Sequence, residues 1–476
     1  MSDRASRALR PAVLAAAAAF ALAGCMNLAP TYRRPDAPVA ASYPPPPMAA
    51  SAPASGVAAA DVEWQRFFAD ERLKRLIGLA LEHNRDLRIA ALNIEQARAT
   101  YDIRRADAWP TVGAGITAQR QPGASGRPVN AYAVGLALSS WEIDLFGRIR
   151  SLSDAALAQY FATREARNAV QTSLVASVAT TYLSMLADEE LLRITRETLA
   201  TREDSLRLTK LRFDVGVSSE LDYRQAESLL ESARATYAQA TRQRALDENA
   251  LVQLVGQPLP SDLPGGLALD AALVTVELPA GLPSELLERR PDIRSSEQAL
   301  VAANANIGAA RAAFFPRIAL TGNFGTASTA LSGLFKSGSW AFTGTGQALE
   351  TIFDAGRNQA NLEVARVNRD IAQAQYERAI QTAFREVSDA LAGRATLGEQ
   401  LRAQLAQANA ESVRFRLSDL RYRNGAASFL DVLDAQRSLF AAQQAVVQVR
   451  AAQVQNLVAL YRALGGGWTE APEARP

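Results

Sequence analysis

From Arg148 to Val215 the chain runs for 68 residues without a glycine or a proline. A second stretch of equal length, 357–424, is broken only by Gly393 and Gly398. Nothing else in the sequence limits the fold so strongly. Breaker-free runs of this kind predict single helices of about 100 Å at 1.5 Å rise per residue. The two glycines in the second run predict a local loosening there. Each run ends at a glycine, Gly216 or Gly425, and each is followed by another clear run, 217–255 or 426–464. A glycine between an outgoing and a returning helix suits a C-terminal cap with positive φ. Packing rather than propensity supplies most helical stability, so helices this long must lie side by side as coiled coil.

The matching lengths reflect a duplication. At an offset of 209, Arg212, Gly216, Ser219, Leu221, Asp222 and Ala226 meet Arg421, Gly425, Ser428, Leu430, Asp431 and Ala435. Gly147-Arg148 meets Gly356-Arg357 at the same offset, and Leu251 and Gly256 meet Leu460 and Gly465. Nearer the start of each half the offset is 206, where Asp86 and Arg88 meet Asp292 and Arg294. The expected units are a first repeat over 63–256, a linker over 257–283, a second repeat over 284–465 and a tail over 466–476. Spaced apolar positions, Leu76, Leu79, Ala80, Leu87, Ala90 and Ala91, mark the first helices of the leading repeat.

Each repeat also holds a segment of period two. Val112, Ala114, Ile116 and Ala118 alternate over 110–119, and Tyr132, Val134, Leu136 and Leu138 alternate over 131–139. The polar, breaker-rich stretch 120–130 lies between them. Ile318, Leu320 and Phe324 repeat the pattern, and Trp340 and Phe342 open a return strand. These read as β-hairpins at about 110–140 and 316–349. Strands of roughly ten residues with one apolar face match a membrane barrel, and a soluble hairpin at a helix tip is the competing reading. Trp109, Trp141, Phe314 and Phe315 sit where helix meets strand, which suits a membrane interface.

Open strand edges do not survive in lipid, and four strands are too few to close a barrel. Two chains would give a barrel filled by its own side chains, whereas three would give twelve strands and a pore. The expected fold is therefore mainly α, duplicated, with a homotrimeric twelve-stranded membrane β-barrel, four strands per chain, on a long helical barrel.

The N-terminus reads as an export signal over 1–24. Arg4, Arg7 and Arg10 precede an apolar segment too short to span a bilayer. LAGC at 22–25 resembles a lipoprotein cleavage box, making Cys25 the expected lipid attachment site. It is the only cysteine, which excludes internal disulfides and cysteine metal sites. Losing residues 1–24 removes three arginines and one aspartate and takes the net charge from +2 to zero, so nothing asks for nucleic acid. Met26, rather than an aspartate, follows the cysteine, which favours the outer membrane. Residues 25–62, rich in proline and alanine, form a tether, either a disordered spacer or an extended strap.

Residues 281–322, GLPSELLERRPDIRSSEQALVAANANIGAARAAFFPRIALTG, resemble the most recognisable segment of outer-membrane efflux lipoproteins of the OprM and NodT type in the TolC superfamily. WEIDLFGR (141–148), IFDAGR (352–357), RYRNG with LDAQRSLF, and ALGGGW (463–468) resemble further family segments. The resemblance covers residues 22–468. It implies a trimer with a mixed α/β belt, to which 257–283 and the C-terminal segment contribute. It also implies a periplasmic adaptor and an inner-membrane transporter of the resistance-nodulation-division type as partners. By the same resemblance the helices turn at a pinched periplasmic end. The constricting rings map onto Leu430 and Asp434, one helical turn apart, while Arg421 and Tyr422 match positions that hold the closed end. Gln225 stands opposite Asp434 in the first repeat, so the halves are not equivalent. Asp431 and Asp222 are expected to satisfy free backbone amides at the turns.

No catalytic constellation emerges, and no cofactor or metal is expected. His83 is the sole histidine, in a charged helical setting that reads as surface. GTGQALE (344–350) imitates a phosphate loop without a GxxxxGK[ST] pattern, and suits a barrel strand better. The expected function is a passive, gated outer-membrane duct for small molecules in a tripartite efflux system. The alternatives are a duct for type I protein secretion and a lipid-anchored coiled-coil scaffold without a pore.

Overall fold

The structure, a computed structural model, describes residues 27–45, 58–122, 126–271, 273–274, 278–279 and 283–468. The export signal and Cys25 lie outside the described residues. The main helices are α1 (Glu71–His83), α2 (Arg85–Ala106), α3 (Arg148–Asp214) and α4 (Glu220–Val255) in the first half. The second half has α5 (Pro291–Ala312), α6 (Arg357–Arg423) and α7 (Phe429–Ala463). Strands β1 (Val112–Pro122) and β2 (Pro128–Ile143) precede α3, and β3 (Arg317–Ser328) and β4 (Trp340–Leu349) precede α6.

The duplication is carried in the backbone. Helices α3 and α6 are each 67 residues, and α2 and α5 each 22. Gly147, Gly216 and Gly256 have positive φ, and so do Gly356, Gly425 and Gly465, their counterparts 209 residues on. One expectation is corrected: α6 passes through Gly393 and Gly398 without interruption. A Cβ on Gly393 would meet the Asn456 Oδ1 at 2.3 Å. Asn456 in turn donates to the Ala390 carbonyl at 2.9 Å. That glycine serves close helix packing, not a loosened turn.

Two compact units divide the chain. The first comprises residues 27–36, 92–164 and 295–377. It contains one antiparallel sheet in the order β1-β2-β3-β4, so the two hairpins are joined through β2 and β3. The strands outrun the sequence expectation, since β1 reaches Pro122 and β2 runs from Pro128 to Ile143. A register shift between Leu138 and Trp141 lets β2 continue along β3. Ile116, Val134, Thr326 and Trp340 lie in register on one face, as do Ala114, Leu136, Phe324 and Phe342. The opposite face carries Thr117, Gln119, Thr321, Asn323, Thr345 and Gln347, as alternation requires. At the sheet's helix-side end the Trp141 indole donates to the Ala108 carbonyl and Phe146 stacks on Phe315 at 4.6 Å.

The N-terminal segment of this unit is an extended strap laid along α5. Arg311 donates to the Leu28 carbonyl, and Asn304 to that of Pro30. Tyr32 and the fork of Arg34 converge on Glu297, at 2.7 to 3.0 Å.

The second unit comprises residues 37–91, 165–294 and 378–468. Its core joins Leu73, Leu76, Ile77 and Ala80 of α1 with Tyr182, Leu183 and Met185 of α3, Leu251 of α4 and Leu460 of α7, all buried. The Phe67 ring stacks on Tyr461 at 4.1 Å. On α2 only Leu87 is buried, while Ala91 and Ile89 stay exposed. Asp70, fully buried, caps α1 through the amides of Arg72 and Leu73. It also accepts from the Tyr182 hydroxyl at 3.0 Å and the Leu267 amide at 2.8 Å, tying the inter-repeat linker to α1 and α3.

Candidate functional site

The two helical turns repeat one chemistry. The Gly216 amide donates to Phe213 and the Val217 amide to Arg212, while Gly425 and Ala426 donate to Tyr422 and Arg421. Both are Schellman caps, which need a left-handed residue, and Gly216 and Gly425 supply it with φ of 78° and 71°. The next helix starts at once with a capping box: Ser219 with Asp222 opens α4, and Ser428 with Asp431 opens α7. Asp222 and Asp431 therefore satisfy backbone donors.

Around this scaffold the residues expected at the constriction take distinct places. Leu430 is 54% exposed on the first turn of α7. Asp434, one turn on, pairs with Arg414 of α6, which also bonds Glu411 at 3.2 Å. Hydrogen bonds to Asp434 and then Glu411 push the Arg414 guanidinium above its ordinary value. Arg421 donates to the Ala426 carbonyl at 3.3 Å across its own turn. Tyr422 is buried with Phe429, Val432, Leu433 and Ala226. Its ring lies 5.2 Å from that of Phe429, with the Arg212 guanidinium 4.8 Å away. The turn of one repeat is thus clamped to the turn of the other. Sequence reasoning passed over Arg414. It stands 11 residues before Gly425 and Asp434 stands 9 after it, a near-symmetric spacing that is the signal a helical hairpin offers.

Beside these turns a groove of about 910 Å³ opens, lined by Asp204, Arg207, Lys210, Asp419 and Phe429 among others. Val215, Val217 and Leu221 are exposed at the first turn. His83 is part-exposed at the end of α1, and residues 344–349 are β4. Among the described residues no group of histidine, cysteine or carboxylate side chains could hold a metal ion.

The sequence profile of the family described as Outer membrane efflux protein matches residues 76–257 and again 282–466. The chain belongs to that family. It is 48% identical over 465 residues to the probable efflux pump outer membrane protein TtgC of Pseudomonas putida, covering 96% of this chain and 95% of that one. To the outer membrane protein OprJ of Pseudomonas aeruginosa it is 46% identical over 461 residues, with 94% of each covered. The crystal structure of the open state of the MtrE outer membrane channel of Neisseria gonorrhoeae superposes with a TM-score of 0.84. That match has 43% identity and covers 93% of this chain and 98% of the other. As an outer-membrane efflux protein, the chain is a channel component of the outer membrane with a large periplasmic part. The two profile matches fall on the two halves related by the 209-residue offset, so each half is one copy of the family unit.

Proposed function

We propose that three copies of the chain form a gated duct that passively conducts small molecules across the outer membrane. A periplasmic adaptor and an inner-membrane transporter of the resistance-nodulation-division type deliver them. The observation that carries this reading is the four-stranded sheet, apolar on one face, whose outer strands β1 and β4 each leave an edge unpaired among the described residues. In lipid those edges need partners, and β1 of one copy against β4 of the next supplies them. Helix α6 supports the same assembly. Val364, Val367 and Ile371, and further on Val413, Leu417 and Leu420, repeat at helical spacing yet remain exposed in a single chain. Neighbouring copies cover such stripes.

Three Leu430 side chains then make an apolar constriction and three Asp434 carboxylates a ring that attracts cations. Arg421 and Tyr422 hold the closed turn, and Gly216 and Gly425 set the return of the helices. The adaptor meets the turns, where the groove and the exposed Val215, Val217 and Leu221 lie. Cys25 carries the acyl anchor, and the strap on α5 leads from it. The test is conductance of the purified protein in planar bilayers. Leu430→Ala combined with Asp434→Ala should raise it. Equal conductance would remove the gate, and no channel in either protein would remove the duct.

A further inference from the structure

The strand residues hold only three charged side chains: Arg120, Glu142 and Arg317. Arg120 pairs with Asn130 near the β1–β2 loop and alternates with Ala118 and Ile116, on the apolar face. Glu142 and Arg317 lie on the other face. Arg317 alternates with Ala319, Thr321 and Asn323, and Glu142 is in register with Ala319. Every other strand side chain on that face is uncharged.

The two charges do not cancel. Arg148, the first residue of α3, already meets Glu142 with a two-pronged contact at 2.8 and 2.7 Å. Arg317 reaches the same carboxylate at 2.6 Å as a second cation. The direct contact of two guanidiniums with one carboxylate carries a surplus of +1, while Asp144 and Asp107 stand near Arg148 rather than in that contact. The Glu142 side chain is 8% exposed whereas that of Arg317 is 60% exposed, so the surplus is presented by Arg317. A bidentate arginine fixes the carboxylate without help, which leaves the third charge available for another purpose.

We infer that Arg317 is a selectivity residue of the duct: its three copies form a cationic ring at the helix-side end of an otherwise uncharged barrel wall, favouring anionic over cationic permeants. This rests on the three-copy duct proposed above, in which the polar face of the sheet lines the lumen. Charged rings select ions in pores by this means, and within the barrel the uncharged threonine, asparagine and glutamine wall does not oppose it. The cation-attracting Asp434 ring belongs to the turn at the far end of α6, so the Arg317 ring is read as a change relative to the wild-type protein. Glu142 and Arg148 are positioning residues that aim Arg317 along the face.

The test is the reversal potential of the reconstituted protein under a potassium chloride gradient. Low salt is needed, since at about 0.1 M the screening length is only about 10 Å. Arg317→Gln should shift the reversal potential toward the cation side and Arg317→Glu should shift it further, while Arg317→Lys retains the wild-type value. Should the Arg317 variants fail to assemble, Asn323→Glu on the same face should produce the cation-ward shift by itself. Channels of unaltered conductance whose reversal potential does not move in Arg317→Gln, Arg317→Glu or Asn323→Glu would overturn the assignment while leaving the duct intact. Absence of channels in the wild-type protein would instead overturn the duct, and this inference with it.

Discussion

Asp188 on α3 lies against Asp247 of α4, and its Oδ2 is shut off from solvent. Burial first, and the neighbouring carboxylate second, push its carboxyl up to about 6. A carboxyl raised in this way holds its proton more tightly in the folded chain than in the unfolded one. Its contribution to stability is therefore fully present below the unfolded value near 3.8 and is lost as pH rises toward 6. At neutral pH Asp188 gives up that proton in a place that disfavours its charge, beside Asp247. A displacement of about two pH units corresponds to roughly 3 kcal/mol if unscreened. Asp188 is only half-buried, and solvent screening reduces this to about 1 kcal/mol per chain. Asp188→Asn, which mimics the protonated form, should raise the unfolding free energy of the purified protein, measured by denaturant titration at pH 7.5, by that amount and change it little at pH 4. Asp247→Asn should reproduce only part of the effect, because burial is the larger cause. An equal gain at both pH values, or a loss at pH 7.5, would refute the reasoning.

Two further outcomes follow from the packing. Removing the carboxylate of Asp70 leaves the Tyr182 hydroxyl and the Leu267 amide without their acceptor and strips the cap from α1. Asp70→Ala should cost about 3–5 kcal/mol in denaturant unfolding, whereas Tyr182→Phe, which deletes one donor, should cost about 1 kcal/mol. In the sheet, a Cβ on Gly325 would strike the Val134 carbonyl at 2.1 Å, while one on Gly113 would meet nothing within 4 Å. Gly325→Ala should therefore prevent assembly of the oligomer, read by size-exclusion chromatography in detergent, and Gly113→Ala should leave it intact.

Much of this architecture could be read from the sequence because its signals are local. Absent breakers set α3, the 209-residue repeat carried its length over to α6, period-two alternation set the four strands, and Ser-x-x-Asp after a glycine set both turns. What stayed hidden depends on distance along the chain. Alternation fixes which residues share a face, but not that β2 pairs with β3, whose partners lie almost 200 residues apart. The contact of Arg414 with Asp434 likewise exists only after the hairpin closes about Gly425. Gly393 was misread for the same reason. A glycine within a helix looks like weakness until Asn456, brought in by α7, occupies the space its missing side chain leaves.

The duplication shows why matching residue identities understate what two halves share. Asn84 precedes α2, and its side chain donates to the Leu254 carbonyl at the end of α4. The corresponding position in the second half is Arg290, which donates to the Ala463 carbonyl at the end of α7. The carbonyls are related by the offset of 209 and the donors by the offset of 206, yet the side chains differ in size and charge. Arginine in that buried place requires neutralisation, and Asp292 and Glu386 provide it at 2.6 and 2.8 Å. A geometric requirement, a donor aimed at the last carbonyl of the returning helix, has thus been kept while the residue meeting it changed. Asp292 already has its counterpart in Asp86, so of the two carboxylates only Glu386, which stands where the first half has Ser177, accompanies that change.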